Sequence, residues 1–223
     1  MAQQTPLTDL DAINEMLASV GQAPLTSIDT TTDLYRKVGS DYKQIVLPTN
    51  PDVAMAQQNL LEVSRRVQSE GWSFNREYNY PITPEAKTKR IYYTDNQLQL
   101  DLAACRHEYG NKDTVKREGC LYERNNHTFE WTESVVYCDV LWYFDWQDIP
   151  RPIQDYVIKK ASAQFSMRVI GDPNLYKTLQ EEANQCRTYA LEYDTQQGDY
   201  TFFGHPQGSD YYVPYQPYHS LNR

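Results

Sequence analysis

The segment DVAMAQQNLLEVSRRVQSEGWSFN, residues 52–75, determines the fold more than any other part of the chain. Its apolar residues recur at alternating steps of three and four, which places them on one face of a helix. These residues are Val53, Ala56, Leu60, Val63 and Val67. Asn50 provides an N-cap, Pro51 a first-turn proline and Gly71 a stop signal. The pattern predicts an amphipathic helix over residues 51–69.

Three more helices are predicted from the same signals. The first covers residues 8–20 and ends at Gly21, and the third covers residues 152–170. The fourth follows Asp172 as its N-cap, with Pro173 at its first position. Its apolar face extends over about five turns. That face consists of Leu175, Leu179, Ala183, Cys186, Ala190 and Tyr193. The short link before the fourth helix predicts an antiparallel helical hairpin.

The third helix is predicted to have one buried face and one polar face. The apolar stripe consists of Ile153, Val157, Ala161 and Phe165, and the polar stripe of Lys159, Ser162 and Ser166.

Between the second and third helices, apolar residues alternate with polar ones, as in half-buried strands. The alternating runs are Tyr78-Tyr80-Ile82, Leu98-Leu100-Leu102 and Val135-Tyr137, and no proline occurs over residues 85–149. Trp72 and Phe74 are predicted to fix the turn from helix into sheet. The predicted fold class is therefore α+β, with an antiparallel β insertion inside a helical bundle.

The predicted organisation has four parts. Residues 1–75 and 145–198 form the two halves of the bundle, residues 76–144 the β insertion, and residues 199–223 an extended C-terminal tail. The link over residues 26–50 is compatible with either a further short helix or an arm onto a neighbouring molecule.

The tail is rich in aromatic residues and is interrupted by prolines and glycines. Its aromatic residues are Tyr200, Phe202, Phe203, Tyr211, Tyr212, Tyr215 and Tyr218. A disordered tail is normally charged and poor in aromatic residues. Two interpretations remain, folding back on the same subunit or docking on a partner, and aromatic enrichment with few charges favours docking.

Charge and hydropathy restrict the class of protein. A formal net charge of −9 disfavours a nucleic-acid-binding factor that grips phosphates. No segment has the apolar length of a membrane span, and the first residues lack the pattern of a signal peptide. We therefore expect a globular protein with no membrane partner.

The cysteine and histidine residues do not have the spacing of a zinc site. A site would have to be assembled from Cys105, His107, Cys120, His127 and Cys138, without a C-x₂-C or H-x₃-H step. We expect free thiols and no metal, and Cys186 is predicted to be a small buried residue on the fourth helix.

Catalytic motifs are absent from the sequence: it contains neither G-x-S-x-G nor a P-loop. One group of carboxylates and aromatic rings has the composition of a sugar-cleaving cleft. It comprises Glu130, Trp131, Glu133, Asp139, Trp142, Asp145, Trp146 and Asp148. In a strand, however, Glu130 and Glu133 would point to opposite faces, which disfavours a shared cleft.

Several unusual strings resemble the tail tubular protein A family of T7-like short-tailed phages. At the N-terminal end these are A-x-N-x-x-L-A-S-x-G, starting at residue 12, and V-Q-S-x-G-W-x-F-N, starting at residue 67. At the other end, Ile149-Pro150, YVIKKASAQF (156–165), Gly171-x-Pro173, LQEE (179–182) and EYD (192–194) follow in the family's order.

The resemblance implies a structural virion protein with no enzymatic activity and no cofactor. Its copies would form a twelvefold ring that joins the portal protein to the tail nozzle protein and extends the DNA channel. Phage DNA would pass through without specific binding, and assembly would occur in the host bacterial cytoplasm. The alternative function is a glycan-active virion hydrolase that uses the carboxylates near residues 130–148.

Overall fold

The computed structural model describes residues 7–26, 30–38, 41–48, 50–103, 109 and 112–198, with the backbone alone for 30–38 and 41–48. The helices are α1 (Asp9–Ser19), α2 (Pro51–Gln68), α3 (Arg151–Val169) and α4 (Pro173–Gln197). The strands are β1 (Thr30–Val38), β2 (Asp41–Pro48), β3 (Arg76–Ile82), β4 (Gln97–Leu102), β5 (Thr114–Arg117), β6 (Cys120–Glu123) and β7 (Val136–Trp142). A 3₁₀ turn at Trp146–Asp148 precedes α3. The predicted α+β class is confirmed.

Side-chain caps fix where the helices begin. Thr8 and Asp11 form a capping box at α1, in which each side chain accepts a hydrogen bond from the other residue's backbone N–H. The Asn50 side chain accepts from the backbone N–H of Asp52 at 3.0 Å, as predicted for α2. Asp172 caps α4 in the same way, and Pro173 occupies the first turn.

Helices from both ends of the chain pack into one bundle around α3. The predicted apolar face of α2 is fully confirmed, because all five of its residues are buried. On α4, Leu179, Ala183 and Ala190 are buried, while Leu175, Cys186 and Tyr193 are half-buried. Periodicity therefore located the core correctly on α2, but on only half of the predicted face of α4. The prediction that Cys186 is buried is wrong, because its side chain lies at the edge of the core and is only partly covered.

The apolar stripe of α3 is buried, and the serines of its polar stripe are buried as well. Ser162 and Ser166 are each 1 % exposed, since α3 contacts α1, α2 and α4 and is covered on most of its surface. The Ser166 hydroxyl donates to the backbone carbonyl of Ala163 in its own helix, at 2.9 Å. Serine is small enough to lie between packed helices, so its polarity alone does not mark a solvent-facing position.

The β insertion has a separate hydrophobic core. Its main sheet is antiparallel with strand order β3-β7-β4, and β5 pairs with β6 as a hairpin. The side chains of this second core include Ile91, Leu100, Leu121, Trp131, Val136, Cys138 and Val140. The insertion can therefore present surfaces that are independent of those of the bundle.

Residues 30–38 and 41–48 form an antiparallel β-hairpin. Leu34 lies opposite Ile45 and Val38 opposite Asp41 in its register. The prediction of a short helix here is wrong, because β-branched and aromatic residues are frequent enough to favour strands. An isolated two-stranded hairpin is only marginally stable in water. The prediction of an arm onto a neighbour stays a prediction.

We expect Val63→Asp to lower the free energy of unfolding by about 3 kcal/mol or more, because Val63 is 0 % exposed and the carboxylate would lack a partner. Leu61→Asp is the matched control, since Leu61 lies in the same helix and is 56 % exposed. Urea denaturation followed by circular dichroism measures both. Equal stability of the two variants would show that the buried face of α2 is misassigned.

Candidate assembly surfaces

Two buried side-chain amides join the bundle to the β insertion. The chain leaves the bundle after α2 and returns through residues 143–150 before α3. Gln68, the last residue of α2, is 0 % exposed. Its Nε2 donates to the Phe144 carbonyl at 3.0 Å, and its Oε1 accepts from the Phe144 backbone N–H at 2.8 Å. One side chain thus holds the outgoing and returning segments together.

Asn75 completes this junction from the first residues after α2. Its Nδ2 donates to the carbonyls of Gln68 and Trp142, both at 2.9 Å. Its Oδ1 accepts from the Trp72 backbone N–H at 2.9 Å, and its own carbonyl accepts from the Trp142 N–H at 2.8 Å. Because Asn75 is fully buried, losing any of these bonds would leave a polar group without water or partner.

Aromatic residues and α4 hold the same turn in place. The indole of Trp72 donates to the Val67 carbonyl at 2.8 Å and contacts the ring of Tyr156 edge to face. The Asp194 carboxylate on α4 accepts from both the backbone N–H and the hydroxyl of Ser73. The predicted role of Trp72 as an anchor is confirmed. Gln68 and Asn75 belong to the string shared with the family, but no structural role was predicted for either residue.

Ion pairs connect the helices of the bundle to one another. Lys159 on α3 pairs with Glu15 on α1 and Glu182 on α4. Burial alone would lower the pKa of Lys159, but the hydrogen bonds and charges of the two glutamates raise it. Glu70 similarly forms ion pairs with Lys160 and Arg187. Partly exposed pairs contribute only about 0–1 kcal/mol each, so they mainly fix the relative positions of the helices.

A cleft of about 380 Å³ lies where α1, α2 and residues 143–148 meet. Asp9, Asp145 and Asp148 line it, together with Tyr143 and Trp146. Burial, followed by the charge of Asp145, raises the pKa of Asp9. Three carboxylates make this part of the bundle surface acidic.

The structure separates the residues of the hypothetical sugar-cleaving cleft. Glu130 and Glu133 lie in the loop between β6 and β7, so the prediction that they occupy a strand is wrong. Glu133 forms an ion pair with Lys112, whose hydrogen bond lowers the pKa of Glu133. Trp131 is buried in the second core. Asp145 and Asp148 line the acidic cleft, to which neither glutamate contributes.

The thiols and imidazoles do not form a metal centre within the described residues. No group of three or more histidine, cysteine or acidic side chains there could hold a metal ion. Cys120 and Cys138 are buried free thiols, and burial raises the pKa of Cys138 to about 12. Cys105 and His107 lie outside the described residues, as do all seven aromatic residues of the tail. Docking by the tail therefore stays a prediction.

A family model for tail tubular proteins matches residues 10–200. The chain belongs to the tail tubular protein family. Members are structural, non-enzymatic components of phage tails, so the family resemblance and the absence of an enzymatic role are confirmed. The matched range includes α2, α3, α4 and the β insertion in full, and all of α1 except its first residue.

One further comparison and one property of the helices complete the description of this tail tubular protein. No curated protein matches the chain. Among the described residues, no helix has both the length and the apolar character required to cross a membrane.

We expect Gln68→Leu to lower the free energy of unfolding by roughly 2–4 kcal/mol, because the backbone N–H and carbonyl of Phe144 would lose their buried partners. Gln58→Leu is the matched control, as Gln58 is exposed on the same helix. Equilibrium unfolding in urea distinguishes them. A Gln68→Leu protein as stable as the control would show that the junction bonds are not required.

Proposed function

We propose that this tail tubular protein forms a ring that joins the portal to the tail nozzle and extends the DNA channel. The observation that carries the proposal is the family match over residues 10–200, which includes nearly all of the bundle and the whole insertion. The portal and nozzle follow from the resemblance of the terminal motifs to the tail tubular protein A family. The ring would be twelvefold, as in that family, and would be assembled in the host cytoplasm.

In such a ring, the bundle and the insertion of each subunit must keep a fixed relative orientation, because that orientation determines where the next subunit lies. The amides of Gln68 and Asn75 supply this relation between bundle and insertion. The ion pairs of Lys159 and Glu70 supply it among the helices. These contacts support a rigid building block.

A closed ring also requires two different surfaces that fit each other on successive subunits. The bundle and the insertion have separate cores and therefore separate outer surfaces. We propose that the bundle and the tail face the portal and neighbouring subunits, and that the insertion faces neighbours and the nozzle. The β1–β2 hairpin is a further candidate for contact with a neighbour, since two strands alone are marginally stable.

The charge of the chain supports a conduit for DNA. A net charge of −9 and an acidic cleft on the bundle give little attraction for phosphates. DNA would therefore pass through the ring without being retained by tight or sequence-specific contacts.

We expect the protein, co-expressed with the portal protein of its own phage, to form rings on the portal that are visible by negative-stain electron microscopy. Deleting residues 200–223 should leave the thermal melt nearly unchanged but strongly reduce ring attachment, because docking aromatic residues act as interface anchors. A variant with the seven tail aromatic residues replaced by serine controls for chain length. Portals without rings from the wild-type protein would contradict the adaptor function, and normal attachment of both variants would contradict docking by the tail.

A further inference from the structure

Four side chains of the β insertion form a continuous stack of cations and aromatic rings. The guanidinium carbon of Arg117 lies 4.4 Å from the ring centre of Tyr122, whose ring lies 4.7 Å from that of Phe129. The guanidinium carbon of Arg90 lies 4.9 Å from the ring centre of Phe129. A guanidinium held over a ring keeps the N–H groups at its edge available for an anion.

The positive charges of the insertion differ from those of the bundle in how they are neutralised. Most bundle cations pair with a carboxylate of the same chain: Arg66, Arg151, Lys159, Lys160, Arg168 and Arg187. Among the described residues of the insertion, ion pairs within the chain form at Lys112 and Arg124. Arg90, Lys116 and Arg117 instead lie against aromatic rings. The insertion thus has positive charges available for a carboxylate of another molecule.

A cleft beside this stack is lined by Arg117 of the stack and by a second arginine, Arg124. It has a volume of about 270 Å³ and is lined by Asp113, Arg117, Tyr122, Arg124, Asn125 and His127. Arg124 reaches Asp113 at 2.8 Å at the rim, and both side chains are more than half exposed. Such an exposed pair exchanges partners at little cost. The cleft can therefore accept a carboxylate between Arg117 and Arg124.

We propose that this cleft binds a carboxylate side chain from the bundle of a neighbouring copy of the same chain. The inference rests on the proposed ring, in which one surface of each subunit meets a different surface of the next. The bundle provides exposed acidic residues, and Asp148, Glu181 and Glu192 form no ion pair within the described part of the chain. Pairing of Arg117 with one of these carboxylates would give the contact a fixed direction around the ring.

DNA is a less suitable occupant of the cleft. Asp113 lies at its rim, and Glu118, next to Arg117, is exposed. Both would repel a continuous row of phosphates, whereas a single carboxylate can approach the arginines between them. The surface has mixed charge, which suits a protein partner with its own pattern of charges.

The test compares Arg117→Glu with Lys87→Glu, the same change of charge on an exposed cation of the insertion that does not line the cleft. We expect Arg117→Glu to reduce ring formation on portals roughly tenfold or more, with an unchanged melting temperature. Lys87→Glu should assemble like the wild-type protein. Normal rings from Arg117→Glu would overturn the inference while leaving the adaptor function intact, whereas failure of the wild-type protein itself would count against the ring.

Arg117→Lys identifies the partner directly, because carbodiimide joins an amine to a carboxylate only where the two are in contact. Rings assembled from mixed ¹⁴N and ¹⁵N subunits should give a cross-link between position 117 and an acidic residue of the bundle in a second copy, seen by mass spectrometry. A cross-link to the portal or nozzle protein instead would overturn the inference. Weakened duplex DNA binding by Arg117→Glu, measured by fluorescence anisotropy with unaffected rings, would also overturn it.

Discussion

The closure of the junction by Gln68 and Asn75 is the constraint on which the rest of the structure depends. Both amides are buried where the chain passes from the bundle into the insertion and back. When a buried amide loses a hydrogen-bond partner, the cost in free energy is larger than a nearby rearrangement can recover. The two segments can therefore take one relative position, and the orientation of the insertion on the bundle follows from it. A ring of identical subunits requires this property of each subunit.

The two parts use their charged residues in different ways. In the bundle, Glu15, Glu70 and Lys159 neutralise charges from neighbouring segments, so the charges left without an ion pair there are mostly carboxylates. In the insertion, Arg90 and Arg117 lie against aromatic rings and have their N–H groups free for another molecule. The bundle is thus a framework, and the insertion is better suited to contacts with other subunits.

Sequence periodicity predicted the features that depend on one helix alone. The apolar faces of α2 and α4, the caps at Asn50 and Asp172 and the family resemblance were all available from local patterns. The burial of Ser162 was not, because it depends on how many helices surround α3. Periodicity shows which residues share one face of a helix. It does not show how many neighbouring helices cover that face.

The candidate surfaces were less predictable, since they depend on contacts between distant segments. The Gln68 side chain hydrogen-bonds to the backbone of Phe144. A contact to the backbone does not depend on which side chain occupies position 144, so the sequence does not reveal it. The stack of Arg90, Tyr122 and Arg117 combines segments that are far apart in sequence. The placement of Glu130 and Glu133 was not available for a related reason, because their segment is a loop that carries Trp131 into the second core.

Hydrogen exchange at two backbone amides of the junction tests most directly whether the bundle and the insertion form a single rigid body. The N–H of Trp142 donates to the Asn75 carbonyl, and the N–H of Phe144 donates to the Gln68 side chain. If bundle and insertion unfold together, both amide protons will exchange only by global unfolding, with the same free energy as those of Leu60 and Val63 in α2. Exchange at Trp142 and Phe144 that is much faster than in α2 would show that the insertion opens independently, and would contradict a fixed junction.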